Sequence, residues 1–277
     1  MPELPETETI ARDLDAELRG ARIVGVAVTR PDVLREVDPR GLARRVAGAS
    51  VTRCWRRAKL VVVELDTGDR IVVQPRFTGA LLVERPDAPL PEREARFSTL
   101  HFALADGRRV HYRDIRRLGT VALMAPDRWE AYQASLGAEP LDPAFTVARL
   151  SGIVRASRQA VKKVLMDQRH VVGVGNIYAN EALWRAGIDP SREARSLDAG
   201  AVARLHDAIV GVLTESIALR GTSFRDYVDA RGEKGGFVEK LAVYGREGAP
   251  CPRCGTRLLG TRAVDGRQTV LCSRCQH

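Results

Sequence analysis

Residues 60–74 read Leu60-Val61-Val62-Val63-Glu64-Leu65, then Asp66-Thr67-Gly68-Asp69, then Arg70-Ile71-Val72-Val73-Gln74. Two β-branched runs on either side of an Asp/Gly turn form a hairpin. The pattern recurs outward from it. Ile23-Val24-Gly25-Val26-Ala27-Val28 is β-rich, and residues 100–104 and 108–112 flank Ala105-Asp106-Gly107 in the same way. Several short strands at this spacing between residues 22 and 124 predict an antiparallel sandwich or barrel. Ahead of them, Ile10, Leu14 and Leu18 recur every fourth residue, the buried stripe of a helix whose first turn contains Pro5. Cys54, between Arg53 and Trp55 on a strand, is expected in the core.

The texture then changes. Pro126, Pro140 and Pro143 mark a linker around one short helix, and from residue 144 to about 228 the periodicity is helical. Leu205, Ile209, Val212, Leu213, Ser216 and Ile217 make one buried helix face. The expected organisation is α+β and multidomain. A helix plus β-sandwich occupies 1–125, a linker 126–143, a helical domain 144–240 and a small cysteine module 241–277. A chain of 277 residues is long enough for more than one core.

The 44 Lys+Arg outweigh the 35 Asp+Glu, a formal charge of +9, and 44% hydrophobic with 29% charged residues is a globular balance. The longest uncharged stretch, residues 170–180, has 11 residues, against the roughly 20 apolar residues a membrane helix needs. The acidic, Pro-broken start does not read as a secretory signal, so a cytoplasmic protein is expected. The basic excess suits a polyanion. It is concentrated, too: residues 35–60 carry eight basic against two acidic side chains, and 151–185 six against two. Only five of the 44 basic residues are Lys.

Cys251-Pro-Arg-Cys254 and Cys272-Ser-Arg-Cys275 are separated by 17 residues, the spacing of a four-thiolate zinc site. The competing pattern, two disulfides, needs an oxidising compartment. A closed four-Cys site is structural, so one Zn²⁺ and no other cofactor is expected, pinning a basic hairpin with Arg267 near its tip. Residues 158–187 read as helix, compact turn, helix, with Asn176 as a cap and Gly187 as the stop. Arg158, Lys162 and Lys163 would supply charge on the first helix. Gly173 and Gly175 would let backbone approach a phosphate at the second helix start. An ordinary capped helical hairpin fits the same residues.

At the other end, removal of Met1 would expose the secondary amine of Pro2. Such an amine condenses with a sugar carbon to give a cationic iminium, an electron sink that promotes elimination. Glu3 and Glu6 offer carboxyls for proton transfer. The same acids also favour a helix N-terminus.

Taken together, Pro2-Glu-Leu-Pro-Glu-Thr-Glu-Thr, Arg56-Arg-Ala-Lys59, Val172-Gly-Val-Gly-Asn-Ile-Tyr-Ala-Asn-Glu181, Val243-Tyr-Gly-Arg246 and the four-Cys finger resemble the formamidopyrimidine-DNA glycosylase family, which includes endonuclease VIII. The match runs in order over essentially the whole chain. The resemblance implies an N-terminal β-sandwich, a helix–two-turn–helix domain and a zinc finger. It implies a bifunctional DNA glycosylase and AP lyase of base excision repair, acting as a monomer on double-stranded DNA in the bacterial cytoplasm. Oxidised purines, 8-oxoguanine and formamidopyrimidines, would be its lesions, removed through a Schiff base and β,δ-elimination.

By the same resemblance Pro2 is the nucleophile, Glu3 the acid for sugar-ring opening and Glu6 its support. Lys59 serves the elimination chemistry, and Arg267 is the finger arginine. Arg158 and Asn176 match phosphate contacts. Thr222, Ser223, Arg225, Asp226 and Tyr227 fall in a loop (221–236) that resembles the one closing over an everted base. Familiar members fill the vacated space with Met, Arg and Phe, whereas Phe77, Arg116 and Leu118 stand here. A family His-x-His falls at Phe97-Ser98-Thr99, and Ile115 replaces a Pro. Two other readings remain: an endonuclease VIII-like enzyme for oxidised pyrimidines, and a non-catalytic binder of abasic or bent DNA.

Overall fold

Three local causes start the first helix together. Pro5 sits in the first turn, where its missing N–H costs nothing. Glu3 and Glu6 form a reciprocal capping box. The Ile10, Leu14 and Leu18 stripe then buries completely, giving α1 at Leu4–Leu18. The computed structural model describes residues 2–277.

After α1 come β1 (Ile23–Val28), β2 (Leu34–Arg35), α2 (Pro39–Val46), β3 (Val51–Arg57), β4 (Leu60–Leu65), β5 (Arg70–Gln74) and β6 (Gly79–Glu84). A single turn, α3 (Glu92–Ala95), precedes β7 (Ser98–Leu104), β8 (Arg109–Asp114), β9 (Thr120–Met124) and α4 (Pro126–Ala134). The strands form a four-stranded sheet ordered β1-β7-β8-β6 and a five-stranded sheet ordered β2-β9-β5-β4-β3. Both expected hairpins are present. Val61 pairs with Val73 and Val63 with Ile71 across the 66–69 turn, and Gly68 sits at φ +86°. All pairings are antiparallel except the two-residue β2–β9 edge.

Alternate residues of the two sheets meet in one core with α1. Val61, Val63, Ile71 and Val73 come from one sheet, and Leu81, Leu100, Phe102 and Val110 from the other. Each such side chain stabilises the fold by roughly 1.5–3 kcal/mol. Cys54 is in this core, where burial pushes its thiol up to about 12. Trp129 of α4 meets Trp55 edge to face at 5.4 Å, so the start of the expected linker packs on the sandwich.

Two compact units result. The first runs to Ala134 and takes back Leu219–Gly236; the second holds Ser135–Ala218 and Phe237–His277. Residues 219–236, expected within the helical domain, thus pack with the sandwich. The helical repeat stops at Ala218, and the loop that follows is tied to α1 by the Thr222 N–H on Glu6 and by Arg220 on Asp13.

In the second unit, α5 (Val147–Arg155), α6 (Val161–Met166), α7 (Asn176–Ala186) and α8 (Ala199–Ala218) precede the finger strands β10 (Leu259–Thr261) and β11 (Thr269–Leu271). Tyr178 of α7 shares a hydroxyl hydrogen bond with Ser216 of α8 at 2.6 Å. Among the described residues, no helix is long and apolar enough to cross a membrane.

Candidate functional site

Pro2, Glu3 and Glu6 lie together at the start of α1, all buried. The Glu6 carboxylate accepts the Glu3 N–H at 2.8 Å through one oxygen and the Thr222 N–H at 2.8 Å through the other. Gly221, at φ +85°, makes that approach possible, because a Cβ there would stand 2.9 Å from the Glu6 side chain. Just upstream, Arg220 bridges Asp13 on α1 and Asp229 in the loop. Asp229 in turn accepts the N–H groups of Arg231 and Glu233, both at 2.9 Å. Burial pushes the Asp13 carboxyl up, opposed by its hydrogen bond from Arg220.

Within the 221–236 loop the expected residues divide in two. Ser223 donates to the Tyr227 carbonyl and accepts the Gly235 N–H, each at 2.9 Å. The Tyr227 hydroxyl donates to the Arg220 carbonyl at 3.1 Å, and burial pushes its pKa up. Thr222, Ser223 and Tyr227 therefore hold the loop from inside. Arg225 and Asp226 are exposed at its tip beside Phe224, which is 48% exposed.

Lys59 is the second residue of the two-residue turn joining β3 and β4, where Arg57 pairs with Leu60. Ala58 takes φ +54°, costly for an L-residue by about 1 kcal/mol. Arg56 braces that conformation. Its guanidinium donates to the Ala58 carbonyl at 3.1 Å and to Glu8 of α1 at 2.8 Å. Residues 56 and 8 thus tie the turn bearing Lys59 to the helix that Pro2 precedes.

Phe77 and Leu118 are 45% and 41% exposed, on the loops after β5 and β8, with the Arg116 guanidinium 5.1 Å over the Phe77 ring. Ile115 is exposed beside them. Thr99, in the stretch where the resembling family has His-x-His, is turned into the sheet and donates to the Tyr112 carbonyl at 2.9 Å. Ser98 meets His111 Nδ1, also at 2.9 Å.

The second unit corrects three expectations. Asn176 is not the cap: Gly175 occupies that position, and Asn176 is the first helical residue, donating to the Gln268 carbonyl at 3.0 Å. Arg158 lies in the loop before α6, exposed, and not on a helix. Lys162 is fully buried and offers no surface charge. Its ammonium donates to the Thr269 hydroxyl at 2.7 Å and to Asp265 at 3.3 Å. The sequence carried that signal, since Lys162 shares a helix face with buried Leu165. Gly187 does end α7, at φ +73°. Gln168, which the sequence reading passed over, braces the α6–α7 turn by accepting the Gly173 N–H at 2.8 Å and donating to Val174 at 3.0 Å.

Asn180 and Glu181 of α7, like Asn176, turn toward the cysteine module. Asn180 accepts the Val270 N–H at 2.8 Å, and Glu181 accepts those of Ala242, Val243 and Tyr244 at 2.8–2.9 Å. The ligand atoms of Cys251, Cys254, Cys272 and Cys275 all lie within 4.8 Å of one another, and all four thiols are free. That spacing suits tetrahedral thiolates at about 2.3 Å from Zn²⁺. The knuckles are tight turns, with the Gly255 N–H on the Cys251 carbonyl at 2.9 Å and the Gln276 N–H on that of Cys272 at 3.1 Å. Arg267 is exposed on the turn joining β10 and β11, its N–H held by Asp265 at 3.0 Å.

Comparison with known proteins agrees along the chain. Residues 1–121 match the formamidopyrimidine-DNA glycosylase N-terminal domain, residues 136–228 the H2TH domain of the same family, and residues 248–277 a zinc finger found in FPG and IleRS. The formamidopyrimidine-DNA glycosylase of Moorella thermoacetica is 46% identical over 93% of each chain. That of Roseiflexus sp. is 41% identical over the whole of both. Lactococcus lactis Fpg bound to DNA containing N7-benzyl-Fapy-dG superposes with a TM-score of 0.90 at 31% identity, covering all of both chains. Its complex with abasic-site DNA gives 0.89 at 30% identity over 99% of each. With its N-terminal, H2TH and zinc-finger segments all matched in order, the chain belongs to the formamidopyrimidine-DNA glycosylase family.

Proposed function

We propose that this protein is a bifunctional DNA glycosylase and AP lyase that removes oxidised purines, 8-oxoguanine and formamidopyrimidines, from double-stranded DNA. The observation that carries the reading is the buried start of α1, where Glu6 joins the Glu3 N–H to the Thr222 N–H of the 221–236 loop. A lone capping box needs no second strand of chain folded onto it.

In the proposed reaction the Pro2 amine, freed by loss of Met1, attacks the sugar C1′ and the damaged base leaves with its bonding electrons. Glu3 protonates the ring oxygen, so the sugar opens to a C1′ iminium. Loss of a C2′ proton expels the 3′-phosphate, and a second elimination expels the 5′-phosphate. Lys59 serves this proton traffic as an amine, which a permanently protonated guanidinium cannot do. Water then releases Pro2. The everted base would lie under the tip of the 221–236 loop, with Thr222, Ser223 and Tyr227 setting its backbone. Phe77, Arg116 and Leu118 would fill the vacated stack. Arg158, Asn176 and Arg267 would contact phosphates, with one structural Zn²⁺ in the finger and the protein acting as a monomer.

Borohydride trapping tests the reading on duplexes carrying 8-oxoguanine, an oxidised pyrimidine or an abasic site. Adducts with 8-oxoguanine and abasic DNA are expected. Pro2→Gly should lower trapping at least a hundredfold, while Pro2→Gly protein cutting at full rate removes the nucleophile. An adduct with the pyrimidine lesion alone would favour the endonuclease VIII-like alternative. No adduct on any duplex would leave the non-catalytic binder.

A further inference from the structure

Asp114 is 2% exposed and has no part in the amine chemistry, yet it receives hydrogen bonds from two loops. One oxygen accepts the Thr78 hydroxyl. The other accepts the Gly119 N–H at 2.8 Å and the Tyr112 hydroxyl at 3.2 Å. Thr78 closes the circuit by accepting the Arg116 N–H at 2.9 Å. Arg113, 3% exposed, adds a guanidinium bond to the Thr78 carbonyl at 2.6 Å.

The two loops are built alike. In each, an Arg held at positive φ (Arg76 at +46°, Arg117 at +52°) is followed by an exposed apolar residue, Phe77 or Leu118. Each loop then reaches a glycine with no room for a side chain. A Cβ on Gly79 would stand 2.0 Å from the Pro75 carbonyl oxygen, and one on Gly119 1.9 Å from the Tyr112 hydroxyl. Left-handed backbone at a non-Gly residue and a large apolar side chain in water both cost free energy. A fold keeps both, twice, only where the surroundings over-determine them.

We propose that Asp114 is a positioning residue for lesion binding: its buried carboxylate fuses the 75–79 and 114–119 loops into one preformed wedge that presents Phe77, Arg116 and Leu118 to the gap in a base stack. This rests on the reading above that those three side chains enter DNA. Preassembly matters because ordering two free loops on contact would be subtracted from binding. The wedge acts only on stacked DNA. Its signature is therefore the ratio of affinities for duplex and single-stranded DNA carrying the same stable abasic analogue.

That ratio should be measured with 2-aminopurine opposite the lesion, whose fluorescence reports filling of the stack. Thr78→Val cuts the bridge between the loops at nearly constant volume, and Asp114→Asn removes its charge. Each should lower the ratio about tenfold and blunt the fluorescence change, and Thr78→Ser should recover most of both. Should Asp114→Asn not fold, Thr78→Val decides alone. If Leu118→Ala and Phe77→Ala lose the ratio but folded Thr78→Val keeps it, Asp114 is not the positioning residue, though the wedge stands. If Leu118→Ala and Phe77→Ala both keep it, the wedge reading fails, and the proposal with it.

Discussion

The loops that carry Phe77 and Leu118 and the turn that carries Arg267 use one device. Each exposed tip is braced from beneath by a buried polar side chain: Asp114 in the first unit, Lys162 in the second. They differ in what lies under the anchor. Asp114 ends β8, inside a sheet whose neighbours share a core of both sheets and α1. Lys162 reaches from a helix of six residues to a hairpin whose strands have three residues each. A two-stranded hairpin is marginal in water even when longer. The sandwich therefore holds its anchor within a packed core and a set of hydrogen bonds, whereas the finger needs a metal as well.

The largest expected effect follows from that asymmetry. Structural Zn²⁺ contributes about 10–16 kcal/mol to small modules of this kind, far more than the buried residues around Val270 and Leu258 can replace. Chelation should open residues 248–277 to protease and abolish binding to abasic-analogue DNA. The unfolding transition of the sandwich should stay where it was. If the finger stays resistant without metal, the contrast between the two anchors collapses.

Next in size is Lys162→Met, which keeps the volume and removes the charge. The change leaves Asp265, whose side chain is 10% exposed, without its ammonium partner. Breaking one half of a buried pair costs about 3–5 kcal/mol, and replacing both halves by apolar residues often costs little. At saturating zinc, urea unfolding of Lys162→Met should lose that amount, and Lys162→Met with Asp265→Leu should regain most of it. Equal losses in both proteins would mean that the loss does not come from leaving Asp265 unpaired.

These anchors also mark where the sequence stops being readable. The hairpins, the α1 stripe and the four-Cys module follow from spacings within some 25 residues, and each is where the pattern put it. The family resemblance rested on the same local motifs. The anchors are long-range: Lys162 meets Thr269 across 107 positions, and Glu6 meets Thr222 across 216. A lysine in a basic stretch reads as surface charge unless its helix face is traced. Nothing local says that Asn176, Asn180 and Glu181 turn toward the cysteine module. The packing of residues 219–236 is equally long-range, because their partners Asp13 and Glu6 lie at the far end of the chain.

The smallest effect tests whether the second unit is limited by its finger or by its helices. Gly211 lies inside α8, and a Cβ there would meet nothing within 4 Å, unlike Gly119, where it would collide with Tyr112. Glycine within a helix costs roughly 0.5–1 kcal/mol relative to alanine, through backbone entropy and lost propensity. Gly211→Ala should therefore raise the stability of the helical part by about that amount in urea unfolding. It should leave the zinc concentration at half-saturation of the finger unchanged, because α8 supplies no cysteine. A gain in stability with tighter zinc binding would mean that helices and finger unfold as one cooperative body. Lys162 would then be an internal tie within a single core, and its likeness to Asp114 would be closer than the three-residue strands suggest.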